Sequence, residues 1–219
     1  ISHELRTPLS VLQGELQAVE DGIRELGEAT HKSLSAEVGR LVILVDDIYE
    51  LSVSELGALR YRKESSDVVG ILREVLDSHE QRFTAKNISL ETALPDSSLE
   101  ALVDSSRLVQ LITNVLENSV RYTNEDGASR VNCWRDGDDI VIDFEDSAPG
   151  VPDDTLPHLF DRLYRVEDSR GRGTGGAGIG LAICRNIAYA HGAELNAWTS
   201  VLGGLHVRLR LPLINVAST

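Results

Sequence analysis

A histidine followed by a glutamate, in Ser2-His3-Glu4-Leu5-Arg6-Thr7-Pro8-Leu9, offers an imidazole nucleophile with a carboxylate beside it to take or orient its proton. Downstream, Leu5, Leu9, Leu12, Leu16, Val19, Ile23 and Leu26 alternate steps of four and three, a heptad seam with Leu9, Leu16 and Ile23 at a. In that register His3 takes position b, facing water, and Thr7 lies one turn on over the same surface. Pro8 has no N–H for the carbonyl of Glu4 and is expected to bend the helix just past the histidine. A lone histidine on a charged helix face is more often a solvated surface residue. Four later clusters change that balance.

The first cluster is Asn114 and Asn118, with Arg121 and Tyr122 on the next turn. Asparagine competes with the helix backbone for hydrogen bonds, so two at i,i+4 are unusual. They bring two amide oxygens side by side, suited to a hard cation such as Mg²⁺, with Arg121 placed to meet phosphate. Polar surface alone explains such a pair about equally well. The second cluster, Asp146-Ser147-Ala148-Pro149-Gly150, follows a strand. A carboxylate there accepts hydrogen bonds, as from an exocyclic amine, and the turn residues leave room for a flat ring. An ordinary turn reads the same way.

The third cluster is the basic and aromatic run Phe160, Arg162, Tyr164 and Arg165, which leads into the polar stretch 167–172. It reads either as an amphipathic surface helix and loop or as phosphate-reaching arginines beside a lid. The fourth holds Gly173, Gly175, Gly176, Gly178 and Gly180, ending at Leu181 where a helix starts. Backbone amides there can approach and cradle phosphates. It is neither a dinucleotide fingerprint, which needs a first strand and a parallel sheet, nor a Walker A loop, since no Gly-Lys-Ser/Thr follows.

These residues need elements to hold them. The first periodic helix is expected to end near Gly27, with a polar connection from Glu28 to Ser33. A second helix then carries Leu34, Val38, Leu41, Val45 and Ile48, its stripe widened by Val42, Leu44 and Leu51. One antiparallel hairpin cannot bury so much apolar surface, so a homodimer with a four-helix bundle is expected. The polar stretch 52–66 leads away from it, giving a division into 1–60, a linker at 61–66, and a second domain at 67–219. There Asp67 and Asp104 cap helices running to about Lys86 and through Val120, and a third helix covers 177–190. Strands are expected at 88–94, 100–103, 129–134, 140–145, 194–199 and 205–211. The whole is α+β: a helical hairpin, then one mostly antiparallel sheet with helices on one face.

The net charge of −14 over 219 residues argues against a nucleic-acid or anionic-membrane surface, so a polyanionic ligand must be held by local amides and a few placed cations. Cys133 and Cys184 lie in apolar stretches without metal-ligand spacing and read as reduced core residues of a cytosolic protein. No apolar run approaches the roughly 20 residues of a membrane span. The chain has no methionine and starts inside a periodic helix, so it is expected to be a fragment lacking an N-terminal part.

Taken in order, the clusters resemble the boxes of a sensor histidine kinase of a two-component system. Ser2 to Leu9 resembles the phospho-acceptor H-box, Asn114 to Thr123 the N-box, Asp146 to Gly150 the G1 box, Phe160 to Arg165 the F-box and Gly173 to Gly180 the G2 box. Gln13 to Leu16, Leu116 to Thr123 and Asp146 to Gly150 further resemble an envelope-stress branch of that family. In G1, Ala148 stands at the first glycine position, which leaves Gly150 as the expected nucleotide-facing glycine.

The resemblance implies an α/β-sandwich ATP-binding domain of the histidine kinase/gyrase/Hsp90/MutL type behind the dimeric bundle. ATP would bind at Asn114, Asn118, Arg121, Tyr122, Asp146, Gly150 and the F and G2 residues, with Mg²⁺ on Asn118 and Asn114 beside it. His3 would take the γ-phosphoryl group with Glu4 as base and pass it to an aspartate of a response regulator, and Thr7 would serve a phosphatase activity. It also implies a bacterial inner-membrane sensor whose missing N-terminal region carries the membrane helices, this chain being the cytoplasmic portion. An ATP hydrolase of the gyrase type would need a glutamate where Asn114 stands. A non-catalytic dimeric scaffold remains a rival of another class.

Overall fold

A computed structural model of the protein describes residues 2–55, 61–162, 164 and 178–214, with backbone alone at 2–4, 7, 40, 43, 44, 46, 47 and 49–55. The chain forms two compact units, Ile1–Leu59 and Arg60–Thr219.

In the first unit, helices α1 (Ser2–Glu20) and α2 (Glu28–Glu55) pack against each other. α1 is helical through Pro8, which is buried. It stops at Glu20, seven residues before the expected end at Gly27. Gly22 takes φ +68°. Ile23 N–H and Arg24 N–H both turn back to the carbonyl of Ala18 at 2.9 Å. A left-handed residue at that point ends a helix whatever apolar spacing follows it. Ile23 and Leu26 therefore continue the heptad rhythm without the helix, and both are largely exposed. The expected connection from Glu28 to Ser33 is already helix, its start favoured by Glu28 at the positive end of the dipole. Leu9, Leu16, Val38, Val42 and Val45 stay about half exposed.

The second unit carries helices α3 (Val68–Thr84), α4 (Ser105–Tyr122) and α5 (Gly180–Ala190) over a five-stranded sheet. Its strands are β2 (Ser89–Ala93), β4 (Ala128–Asp136), β5 (Asp139–Ser147), β6 (Glu194–Thr199) and β7 (Gly203–Pro212), in the order β2-β4-β5-β7-β6. β2 runs parallel to β4 and the other pairs are antiparallel. Asp67 and Asp104 cap α3 and α4 as expected, accepting from Val69 N–H and Arg107 N–H. β1 (Glu64–Asp67), which overlaps the stretch read as a linker, pairs with β3 (Glu100–Val103) in a separate ribbon. A short 3-10 segment, Asp153–His158, was not expected either.

The core lies between helices and sheet: Leu72, Leu111, Ile112, Leu116, Ile183 and Ile187 are buried with Ile140, Ile142, Phe144 and Leu209. Cys133 and Cys184 are buried free thiols, and burial pushes Cys133 up to about 12. On the other face of the sheet Asp143, Glu145 and His206 are also buried. Arg208 closes over them, donating to both oxygens of Asp143 at 2.6 and 2.7 Å while stacked 5.4 Å from Trp134 and 5.3 Å from Trp198. Burial works against charge on Asp143, but Arg208 and His206 hold its carboxyl below the ordinary range.

Candidate functional site: a carboxylate clasped at a sheet irregularity

Between Glu145, paired with His206, and Ser147, paired with Gly203, the β5–β7 register shifts. One residue of β5, Asp146, stands opposite two of β7, Gly204 and Leu205, so Leu205 N–H leaves the ladder and donates to Asp146 Oδ1 at 2.6 Å. Ser119 Oγ of α4 donates to the other oxygen, Oδ2, at 3.0 Å. A Cβ at Gly204 would lie 2.3 Å from Asp146 Oδ1 and 2.4 Å from the carbonyl oxygen of Ser147, so only glycine lets the strand close on the carboxylate. Burial raises the Asp146 carboxyl to about 6, against the pull of the Leu205 amide and the Ser119 hydroxyl.

α4 sets its functional residues on one flank by burying Leu108, Leu111, Ile112, Val115, Leu116 and Ser119. Asn114 and Asn118 are half-buried, and Asn114 Nδ2 donates to the carbonyl of Gly180, the first residue of α5, at 3.3 Å. The first cluster and the end of the glycine run thus meet. Gly178 takes φ +71°, which needs glycine, just before α5. Leu181 is half-buried in the first turn of α5, which starts at Gly180 and not at the expected 177. The turn after β5 is joined to the end of α4 by Asn124 N–H donating to the Ala148 carbonyl at 3.1 Å.

Gly150 is expected to face nucleotide. A Cβ there would also meet the carbonyl oxygens of Gly203 and Gly204 at 3.1 and 3.2 Å, so a close approach of the protein to itself gives a second reason for glycine. Phe160 is buried in the core and anchors its segment by packing. Arg162 is exposed, and Tyr164 lies half-buried with its ring 5.5 Å from His158. Arg121 and Tyr122 are exposed on a cleft of about 500 Å³ whose lining includes none of Asn114, Asn118 and Asp146. Arg165, Gly173, Gly175 and Gly176 lie outside the described residues. His3, Glu4 and Thr7 fall on α1, and their side chains lie outside the described residues.

Two contributors escaped the sequence reading. Ser119 follows Asn118, but nothing in the chain announces its bond to a residue 27 positions away. Lys86 Nζ donates to the carbonyls of Val120, Arg121 and Thr123 at 2.9, 3.0 and 2.6 Å, closing the C-terminus of the helix that carries the asparagines. A lysine at the expected end of α3 was its only signal.

Residues 103–215 match the family of histidine kinase-, DNA gyrase B- and HSP90-like ATPases. The chain belongs to this ATPase family. Residues 1–57 match the His Kinase A (phospho-acceptor) domain. The chain is similar to the signal transduction histidine-protein kinase BaeS of Escherichia coli K12, 46% identical over 97% of this chain, and spans 45% of the length of that protein. The structure resembles the histidine kinase AdeS of Acinetobacter baumannii, with a TM-score of 0.81 at 26% identity, covering 97% of this chain and 98% of that one. It shares its fold with the histidine kinase ThkA, solved in complex with the response regulator TrrA, at a TM-score of 0.76 and 18% identity over 96% of this chain and 59% of that one. Asp146 on the sheet and Asn114 and Asn118 on α4 are the residues whose chemistry suits the nucleotide of an ATPase family.

Proposed function

We propose that the chain is the kinase core of a two-component sensor, which phosphorylates His3 from ATP and passes the phosphoryl group to an aspartate of a response regulator. The observation that carries this reading is the joining, on one chain, of a phospho-acceptor match at 1–57 to an ATPase-family match at 103–215. The clasped Asp146 accepts the exocyclic amine of adenine. One imidazole nitrogen of His3 forms a bond to the γ-phosphorus as the bond to the β–γ bridging oxygen breaks, and ADP leaves with that electron pair. Glu4 takes the proton from the other ring nitrogen. Arg121, Arg162 and Arg165 supply positive charge for the phosphates.

Mg²⁺ fits the donor set. Asn114 gives its amide N–H to the Gly180 carbonyl, and its side-chain oxygen, like that of Asn118 one helical turn on, is of the kind a hard cation takes. A hard cation takes amide oxygens together with the phosphate oxygens of the nucleotide. When bound, Mg²⁺ neutralises charge on the triphosphate.

The half-exposed Leu9, Leu16, Val38, Val42 and Val45 support a homodimer through a four-helix bundle. The ThkA–TrrA complex supports a receiver domain as partner. Thr7 serves dephosphorylation of that partner. The envelope-stress role and the membrane-anchored sensor rest on the resemblance of the whole chain to BaeS. Among the described residues, no helix is long and apolar enough to cross a membrane. The test is incubation with Mg-ATP. Acid-labile phosphorylation that disappears in His3→Ala, with ATP affinity kept, is expected; label persisting in that variant overturns the reading.

A further inference from the structure

Asp146 is held from two layers of the domain. The Ser119 hydroxyl reaches Oδ2 from α4, and the Leu205 amide reaches Oδ1 from β7. Ser119 is 3% exposed and Asp146 8%, so water competes little for either bond. Both partners donate, and among the described residues these two, a hydroxyl and an amide, are uncharged. The carboxylate plane is therefore fixed before any base arrives, with its remaining lone pairs as acceptors. An acceptor fixed in this way pairs with an amine and repels a carbonyl oxygen.

The geometry points to Ser119 as a specificity-determining positioning residue: by holding Asp146 as a fixed acceptor, it makes the site choose a 6-amino purine over a 6-oxo purine. The inference deepens the ATP-site reading above and rests on it. Without the hydroxyl, Oδ2 is buried and unpaired, and the cheapest relief is to keep a proton. A protonated carboxyl donates to a 6-oxo group, so discrimination is lost. The titration of Asp146 has the matching structure: burial raises it, and Ser119 is one of the two groups that oppose the rise.

The test titrates the whole chain with Mg-ATP and with Mg-ITP, which replaces the 6-amino group by oxygen, from pH 5 to 8. The native chain is expected to prefer ATP by tenfold or more and to lose ATP affinity as pH falls through about 6. Ser119→Ala adds no volume to a buried position. It is expected to narrow the preference several-fold and to move the acid limb up by about one pH unit. Ser119→Thr, which restores a hydroxyl, moves both readouts back toward native. Loss of packing alone would weaken both nucleotides equally and leave the limb in place, and that result overturns the proposal. A native chain that binds ATP no better than ITP overturns the adenine reading, and the proposal with it.

Discussion

Asp146→Asn should make the protein more stable and the site weaker. The folded state holds the Asp146 proton up to about pH 6, while the unfolded chain releases it near 3.8. Between those values the folded state binds more protons, so stability falls as pH rises, and above 6 the loss is complete. The gap amounts to roughly 3 kcal/mol at neutral pH. Asparagine never ionises, so it escapes this cost. Its Oδ1 still accepts from Leu205 N–H, and its amide N–H₂ donates to the Ser119 oxygen in place of the bond Ser119 now gives. Urea unfolding of the nucleotide-free chain should therefore show the variant ahead by up to about 3 kcal/mol at pH 7.5 and by only about 1 kcal/mol at pH 4.5. Calorimetry with Mg-ATP should show affinity down tenfold or more, since a charged acceptor is replaced by a neutral one. A variant less stable than native at pH 7.5, or ahead by the same margin at both pH values, would refute the claim that burial of an ionised Asp146 strains the fold.

Asn118→Ala should remove most of the Mg²⁺-dependent part of ATP affinity while leaving Mg²⁺-free binding nearly unchanged, as read by calorimetry with and without chelator. Thr7→Ala should keep autophosphorylation within a few-fold and lose regulator dephosphorylation, whereas Glu4→Ala should slow autophosphorylation by about 10²-fold or more; radiolabel assays of both activities separate the two. Lys86→Met keeps the aliphatic stem but removes three donors from the end of α4, and should lower urea stability by about 1–2 kcal/mol and weaken ATP binding through Arg121 and Tyr122. Arg208→Met leaves Asp143 buried without its guanidinium, so it should cost about 3 kcal/mol at neutral pH. The deficit should shrink as pH falls below the ordinary carboxylate range, where Asp143 can take a proton in the variant.

Periodicity and caps are local properties, and they were legible. Asp67, Asp104 and the strands around Asp136-Gly137-Asp138 stand where the chain alone put them. Ile23 and Leu26 show where that reading overreached: apolar spacing continued for a turn after Gly22 had ended the helix, because spacing reports which residues seek burial and says nothing of backbone handedness. The 64–67 strand was hidden for another reason, since Glu-Ser-Ser-Asp has no apolar alternation and is held by its ladder to β3.

The site divides along the same line. Asn114 and Asn118 stand out in the sequence because asparagine is costly inside a helix, and Asp146 because a carboxylate at a strand end accepts hydrogen bonds; both signals are present before any contact is known. What makes Asp146 a usable acceptor was not visible, because it depends on a register shift against the neighbouring strand β7, 59 positions on in the chain at Leu205, and on a serine that reads as ordinary polar filling. Gly204 ties the two levels together. Its missing side chain is what allows β7 to bring Leu205 N–H onto the carboxylate, so a residue with no chemistry of its own is a condition for the chemistry. Gly204→Ala would drive a methyl group into Asp146 Oδ1 and the Ser147 carbonyl, and the carboxylate would have to give up either that amide or its place in the sheet.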